Sequence, residues 1–128
     1  MTERSFTYEW DHGPTEVKLN VSSYQRGNRL YIGMYRENEA GGSISSFEDL
    51  TANLEGYDLA EDEAFISSES TAEKMRFIRQ HRLGCLAGSW NSGIEKYLLV
   101  KFNLKRLAML DPDEVSAYLK SRREKNLI

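Results

Sequence analysis

Residues 70–102, S-T-A-E-K-M-R-F-I-R-Q-H-R-L-G-C-L-A-G-S-W-N-S-G-I-E-K-Y-L-L-V-K-F, constrain the fold more than any other stretch of the chain. Ser70 followed by Glu73 has the spacing of a capping box, so a helix is expected over Thr71–Leu83 with Gly84 as its stop. Met75, Ile78 and Arg82 share one face of it, Phe77 and His81 lie beside them, and Lys74, Arg76 and Arg79 take the other side. Cys85–Trp90 then reads as a short strand in which Gly88 permits a bulge or close packing. N-S-G at 91–93 turns the chain back into its most apolar strand. There Ile94, Leu98, Val100 and Phe102 line one face while Tyr97 and Leu99 make the other apolar too, the pattern of a central strand covered on both sides.

The segments before this stretch read as sheet. Phe6, Tyr8 and Trp10 alternate with polar residues, as do Val17, Leu19 and Val21; Leu30, Ile32 and Met34 then point one way while Tyr31, Gly33 and Tyr35 point the other, a third strand with an aromatic outer face. D-H-G-P at 11–14 and Q-R-G-N at 25–28 supply turns between them, so an antiparallel meander is expected. Residues 37–46 form a polar loop broken by Gly41 and Gly42, and F-E-D-L-T-A-N-L at 47–54 reads as a fourth strand. Residues 55–66 are acidic and run over the surface, with Leu59, Phe65 and Ile66 tucked beneath. Leu104–Leu110 fits one helical turn or a continued edge. Asp111-Pro112-Asp113-Glu114 opens a last helix over Pro112–Lys125. The expected fold is a single α+β domain over residues 1–128. It is a mostly antiparallel sheet of about five to six strands, packed by one central helix and ended by a C-terminal helix.

Charge is the one bulk property that reports on partners. Residues 1–36 carry net +1, residues 37–73 carry eleven acids with no Lys or Arg, and residues 74–128 carry net +7. No apolar run approaches a membrane span, and the N-terminus lacks a secretion signal pattern, so no membrane partner and a cytoplasmic location are expected. The single Cys85 fits a reducing compartment, and with His12 and His81 it supplies too few ligands for a Cys/His zinc site.

Catalytic motifs are missing. His12 sits in a turn and His81 at a helix end, and the sequence brings neither to a Ser or Cys; the serines lack a G-x-S-x-G or similar context and read as capping and turn residues. Asp58, Glu61, Asp62 and Glu63 are hard oxygen ligands without the spacing of a calcium loop. Gly84, Gly88 and Gly93 do not form a phosphate loop. No cofactor is expected. Two charged surfaces are left: the acidic set Glu55, Asp58, Glu61, Asp62 and Glu63, and the basic set Lys74, Arg76, Arg79, Arg82, Arg122 and Arg123. The acids could imitate a phosphate string, or the basic helices could neutralise them internally. The bases could contact nucleic acid directly.

L-Y-I-G-M-Y, F-E-D-L-T-A-N-L, A-F-I-S, F-I-R-Q-H-R-L-G, A-G-S-W-N-S-G and F-N-L-K-R-L occur in an order that resembles a family of small uncharacterised proteins encoded on conjugative transposons and other bacterial mobile elements. After the S-G turn this chain has I-E-K-Y where that family has aromatic and proline residues. The resemblance implies a cytoplasmic accessory protein travelling with mobile DNA, and it transfers no catalytic residue. The expectation is therefore a non-enzymatic anti-defence protein. Its acidic segment would occupy the basic site of a host nucleic-acid-processing protein, such as a CRISPR nuclease. The alternatives are a nucleic-acid-binding factor using the basic helices, and a small hydrolase with an unrecognised site. Oligomeric state is left open.

Overall fold

Alternation of buried and exposed side chains carries the first half of the fold. The computed structural model describes residues 6–10, 13–24, 27–37, 44–54, 57 and 59–126. Asp11 and His12 of the first turn, Gln25 and Arg26 of the second, the Gly41–Gly42 pair, and Glu55 and Asp58 lie outside the described residues. Strands β1 (Phe6–Trp10), β2 (Gly13–Ser23), β3 (Leu30–Glu37) and β4 (Ile44–Asp49) form one antiparallel sheet in that order. The expected meander is present, with Leu30, Ile32 and Met34 buried on one face of β3. Pro14 is tolerated because β3 pairs with β2 only from Lys18 onward, so its missing N–H interrupts no ladder there.

The α+β class holds, and the strands divide between two four-stranded sheets where the pattern predicted one. The second sheet contains β5 (Thr51–Ala52), β6 (Glu63–Ile66), β7 (Gly84–Ser92) and β8 (Glu95–Phe102) in the order β5-β6-β8-β7. The segment 47–54 is thus two strands. Leu50, fully buried, is the joint: its N–H donates to the Ile32 carbonyl of the first sheet, and its own carbonyl accepts from Ser67 beside the second. The acidic segment also ends in a strand, β6, in place of a surface run. Ala64 and Ile66 join the main core while Phe65 faces the other way.

Helix α1 (Thr71–Gln80) is shorter than expected, and its ends differ. Ser70 sits in the left-handed region at φ 53° and makes no side-chain cap bond, so the capping box does not form. Gly84 is not the stop. It opens β7, where an added Cβ would stand 2.6 Å from the Lys101 carbonyl oxygen. The stop is Arg82 at φ 57°: Leu83 N–H donates to Ile78 O and Arg82 N–H to Arg79 O, the paired bonds of a Schellman motif. A side chain in this conformation costs about 1 kcal/mol that glycine avoids. Arg82→Gly should therefore raise stability by about 1 kcal/mol in urea denaturation, and an unchanged or lower midpoint would refute this account.

The β7–β8 hairpin turns on Gly93 at φ 65° and Ile94. Ile94 is fully exposed at this tip, not aligned with the buried face of β8 as its position suggested. Strand β8 is central in its sheet; Val100 and Phe102 are buried on one face, while on the other Leu99 is buried, Tyr97 half-buried and Lys101 exposed, so the expected cover is complete on one side alone. Helices α2 (Leu104–Leu110) and α3 (Pro112–Asn126) complete the chain. Asn103 caps α2 by accepting from Arg106 N–H, so 104–110 is helix and not a continued edge. A single hydrophobic cluster joins the inner faces of both sheets to Met75, Phe77 and Ile78 of α1, Leu107 and Leu110 of α2, and Val115 and Tyr118 of α3.

Candidate functional site

Five acids of the middle segment, Glu48, Asp49, Glu61, Asp62 and Glu63, are engaged within the chain. Glu61 takes a two-pronged contact from Arg123, with Nε–Oε1 at 3.2 Å and Nη2–Oε2 at 3.0 Å. Asp62 lies 3.9 Å from Lys101 Nζ, and Glu63 Oε1 accepts from Ala60 N–H at 2.8 Å. Glu48 holds Lys74 at 2.8 Å, and Asp49 accepts from the Tyr31 hydroxyl at 2.7 Å. Tyr57, Leu59 and Glu61 are held from two sides. Arg29 donates to Asn53 Oδ1 and Tyr57 O, while Tyr118 donates to Glu61 O and Arg122 to Leu59 O.

These contacts explain the shifts in ionisation. The hydrogen bond from Arg123 holds the Glu61 carboxyl below its ordinary value of 4.5. Burial raises the Tyr118 phenol above 10.0, and burial followed by the Asp49 hydrogen bond raises Tyr31. A carboxyl depressed on folding adds stability that is present above its unfolded value and is lost as pH falls through the folded one. Stability should therefore drop as pH falls below about 4.5, and Glu61→Gln should flatten part of that drop in thermal melts across the acid range. The pair is mostly solvent-exposed, so the flattening should be small. An unchanged acid profile would refute the coupling.

The basic candidates separate into three groups. Lys74 is fully buried, donating to Glu69 O at 2.8 Å and paired with Glu48, so it is a structural cation and not a phosphate contact. Arg122 is committed to Tyr118 Oη and Leu59 O, and Arg123 to Glu61. Arg76, Arg79 and Arg82 remain exposed along α1 and its C-terminal turn. None of these three has an ion pair among the described residues.

Arg79 and Arg82 share a cleft of about 490 Å³ with Gly84, Cys85, Lys101, Phe102 and Asn103. Lys101, with 62% of its side chain exposed, was not among the residues singled out by charge. It reaches the cleft because Cys85 pairs with Lys101 across β7 and β8, directly after the turn that ends α1. Lys105, two residues beyond Asn103, is exposed as well. Charge in the sequence marked Lys101 as a cation, and only the strand register places it beside Arg79 and Arg82.

A second feature is aromatic and partly exposed. On the face of the second sheet that turns away from the main core, Phe65 packs edge-on against Tyr57, Trp90 and Tyr97 at centroid distances of 5.3, 6.0 and 6.5 Å. Trp90 is 40% exposed. His81, by contrast, is half-buried, stacked edge-on against Phe6 and Phe77 with Nε2 3.2 Å from Thr7 O, so its contacts belong to packing. Among the described residues no group of three or more His, Cys, Asp or Glu is placed to hold a metal ion, and no helix is long and apolar enough to cross a membrane.

A family model described as a domain of unknown function, DUF4313, matches residues 18–122. No curated protein and no solved structure matches the chain.

Proposed function

Since this chain belongs to the DUF4313 family, a domain of unknown function, we propose from its own geometry that it is a non-enzymatic accessory protein that binds nucleic acid. The observation that carries this reading is the cleft in which Arg79, Arg82 and Lys101 converge, extended by exposed Arg76 and Lys105. Exposed cations gathered on one surface are what a phosphate backbone selects. Lys101 also pairs with Asp62 at 3.9 Å, the outer limit of an ion pair, and a phosphate would displace that carboxylate. Carriage on bacterial mobile elements and a cytoplasmic setting are part of the proposal, and both suit a protein that handles DNA or RNA.

A second reading assigns the acidic segment the active part. Glu61, Asp62 and Glu63 would occupy the basic site of a host nucleic-acid-processing protein, such as a CRISPR nuclease, in an anti-defence role. The clustering of three half-exposed carboxylates at one end of β6 favours it. It would require Glu61 to exchange the two-pronged contact with Arg123 for a partner's cation, whereas the direct binder requires only that Lys101 give up Asp62 at 3.9 Å.

One titration separates the two. Fluorescence anisotropy with labelled oligonucleotides should show binding that weakens as salt rises. Arg76→Gln/Arg79→Gln/Lys101→Gln should reduce the slope of log K against log salt by about two to three. Glu61→Gln/Asp62→Asn/Glu63→Gln should leave binding intact. Absence of nucleic-acid binding at low salt would overturn the proposal. Retention of a basic nucleic-acid enzyme by the wild type and its release by the acidic triple variant would replace it with the second reading.

A further inference from the structure

The basic cleft and the aromatic face are two ends of one surface. Residues paired across antiparallel strands share a face, and alternate residues along a strand return to it. Lys101 with Cys85, Leu99 with Gly88, and Tyr97 with Trp90 therefore lie in succession on the same outer face of β7 and β8. The bulge between Leu86 and Gly88 is what keeps this register, bringing Gly88 and Trp90 onto the face that Cys85 starts. From Lys101 to Tyr97 the path is about 13 Å at the usual rise of a strand. One end is cationic and belongs to the cleft of Arg79 and Arg82. The other end is a partly exposed indole.

Gly88 shapes the aromatic end. A Cβ there would stand 2.9 Å from Cζ3 of Trp90, so the indole lies across the glycine and over the sheet. Phe65, fully buried beneath, and Tyr57 meet Trp90 edge-on, at interplanar angles of 66° and 87°. Both contacts are T-shaped, so neither ring lies parallel to the indole as a stacked base would. The acids of this face stand at its two ends: Glu63, opposite Lys101 in β6, accepts from the Ala60 amide, and Glu95 sits at the hairpin end.

We propose that this surface binds single-stranded nucleic acid, with phosphates at Arg79, Arg82 and Lys101 and an unpaired base stacked on Trp90. The inference rests on the nucleic-acid reading above and narrows it. A cationic track leading to an exposed aromatic ring on a sheet suits a strand whose bases are free to leave their stack. A duplex keeps its bases inside and can use only the cationic end. Unpaired strands of DNA and RNA offer the same two groups, so both are probes.

The test is anisotropy with oligo-dT, oligo-U and a duplex of mixed sequence, on wild type, Trp90→Leu and Trp90→Tyr. Stacking of one base predicts about a tenfold loss of single-strand affinity in Trp90→Leu, recovery of most of it in Trp90→Tyr, and unchanged duplex affinity in both. Tyrosine keeps an aromatic surface, so a fold defect in the leucine variant would be exposed by its duplex arm. In a Trp10→Phe background, quenching of Trp90 fluorescence by oligo-dT should saturate with the anisotropy curve. Equal affinity for duplex and single strand, or an unaltered single-strand affinity in Trp90→Leu, would overturn this inference and leave the broader proposal standing. Failure of every oligonucleotide to bind would overturn both. A dT-to-U preference would assign the natural strand as DNA or RNA within the supported outcome.

Discussion

Replacing Lys74 with alanine should cost about 3–5 kcal/mol of stability, the range for removing one partner of a buried ion pair. With a urea dependence of about 2 kcal/mol per molar, the midpoint should fall by about 2 M. The ammonium is fully buried and lies 2.8 Å from both Glu48 Oε1 and the Glu69 carbonyl oxygen. It ties α1 to β4 and to the chain that enters the helix. Alanine removes the stem that fills the space as well as the charge that Glu48 and Glu69 need. Lys74→Met keeps most of the stem and separates these terms. Glu48 retains 24% side-chain exposure and can recover water, so the methionine variant should lose only about half as much. A methionine variant as stable as the wild type would show that desolvation had cancelled the pair, and the anchoring role would fall.

The position of Lys74 shows where sequence stops being readable. Its place on α1 put it with Arg76 and Arg79 on a charged side, and nothing local signals that Glu48, twenty-six residues earlier, waits beside it. The meander was legible because β1, β2 and β3 each turn an apolar set inward: Tyr8 and Val17 alternate with polar neighbours, and Ile32 alternates with Tyr31 and Gly33. Strand β6 was not, because Ala64, Phe65 and Ile66 are buried on both sides of the sheet and the alternation disappears. The break at Leu50 was hidden for the opposite reason. The apolar-polar rhythm of F-E-D-L-T-A-N-L runs straight through a residue whose N–H and C=O serve different sheets. In the candidate site, Arg79 and Arg82 announced themselves by charge. Lys101 and Trp90 depended on the pairings Cys85 with Lys101 and Trp90 with Tyr97, which are facts of register.

That register also makes Phe65 the floor of the outer face, and Phe65→Ala should cost about 3–4 kcal/mol. Phe65 is fully buried yet lies outside the main core cluster, so its partners are Leu99 across the strand and the rings of Tyr57, Trp90 and Tyr97. The full range for such truncations extends to about 5 kcal/mol, and the cost depends on how far the site collapses. Trp90, 40% exposed and over a glycine, has room to settle into the vacated space, which sets the lower end. Phe77→Ala is the internal comparison. Its ring is packed between Phe6, Tyr8 and His81 in the main core, so that variant should fall at the upper end. Emission from Trp90, isolated by Trp10→Phe, should shift in Phe65→Ala and stay fixed in Phe77→Ala under native conditions. A Phe65→Ala loss below about 1 kcal/mol would mean that the outer aromatics form no second core. An indole without a firm floor would then be held too loosely to orient a stacked base, because the ordering of Trp90 would have to be supplied on binding.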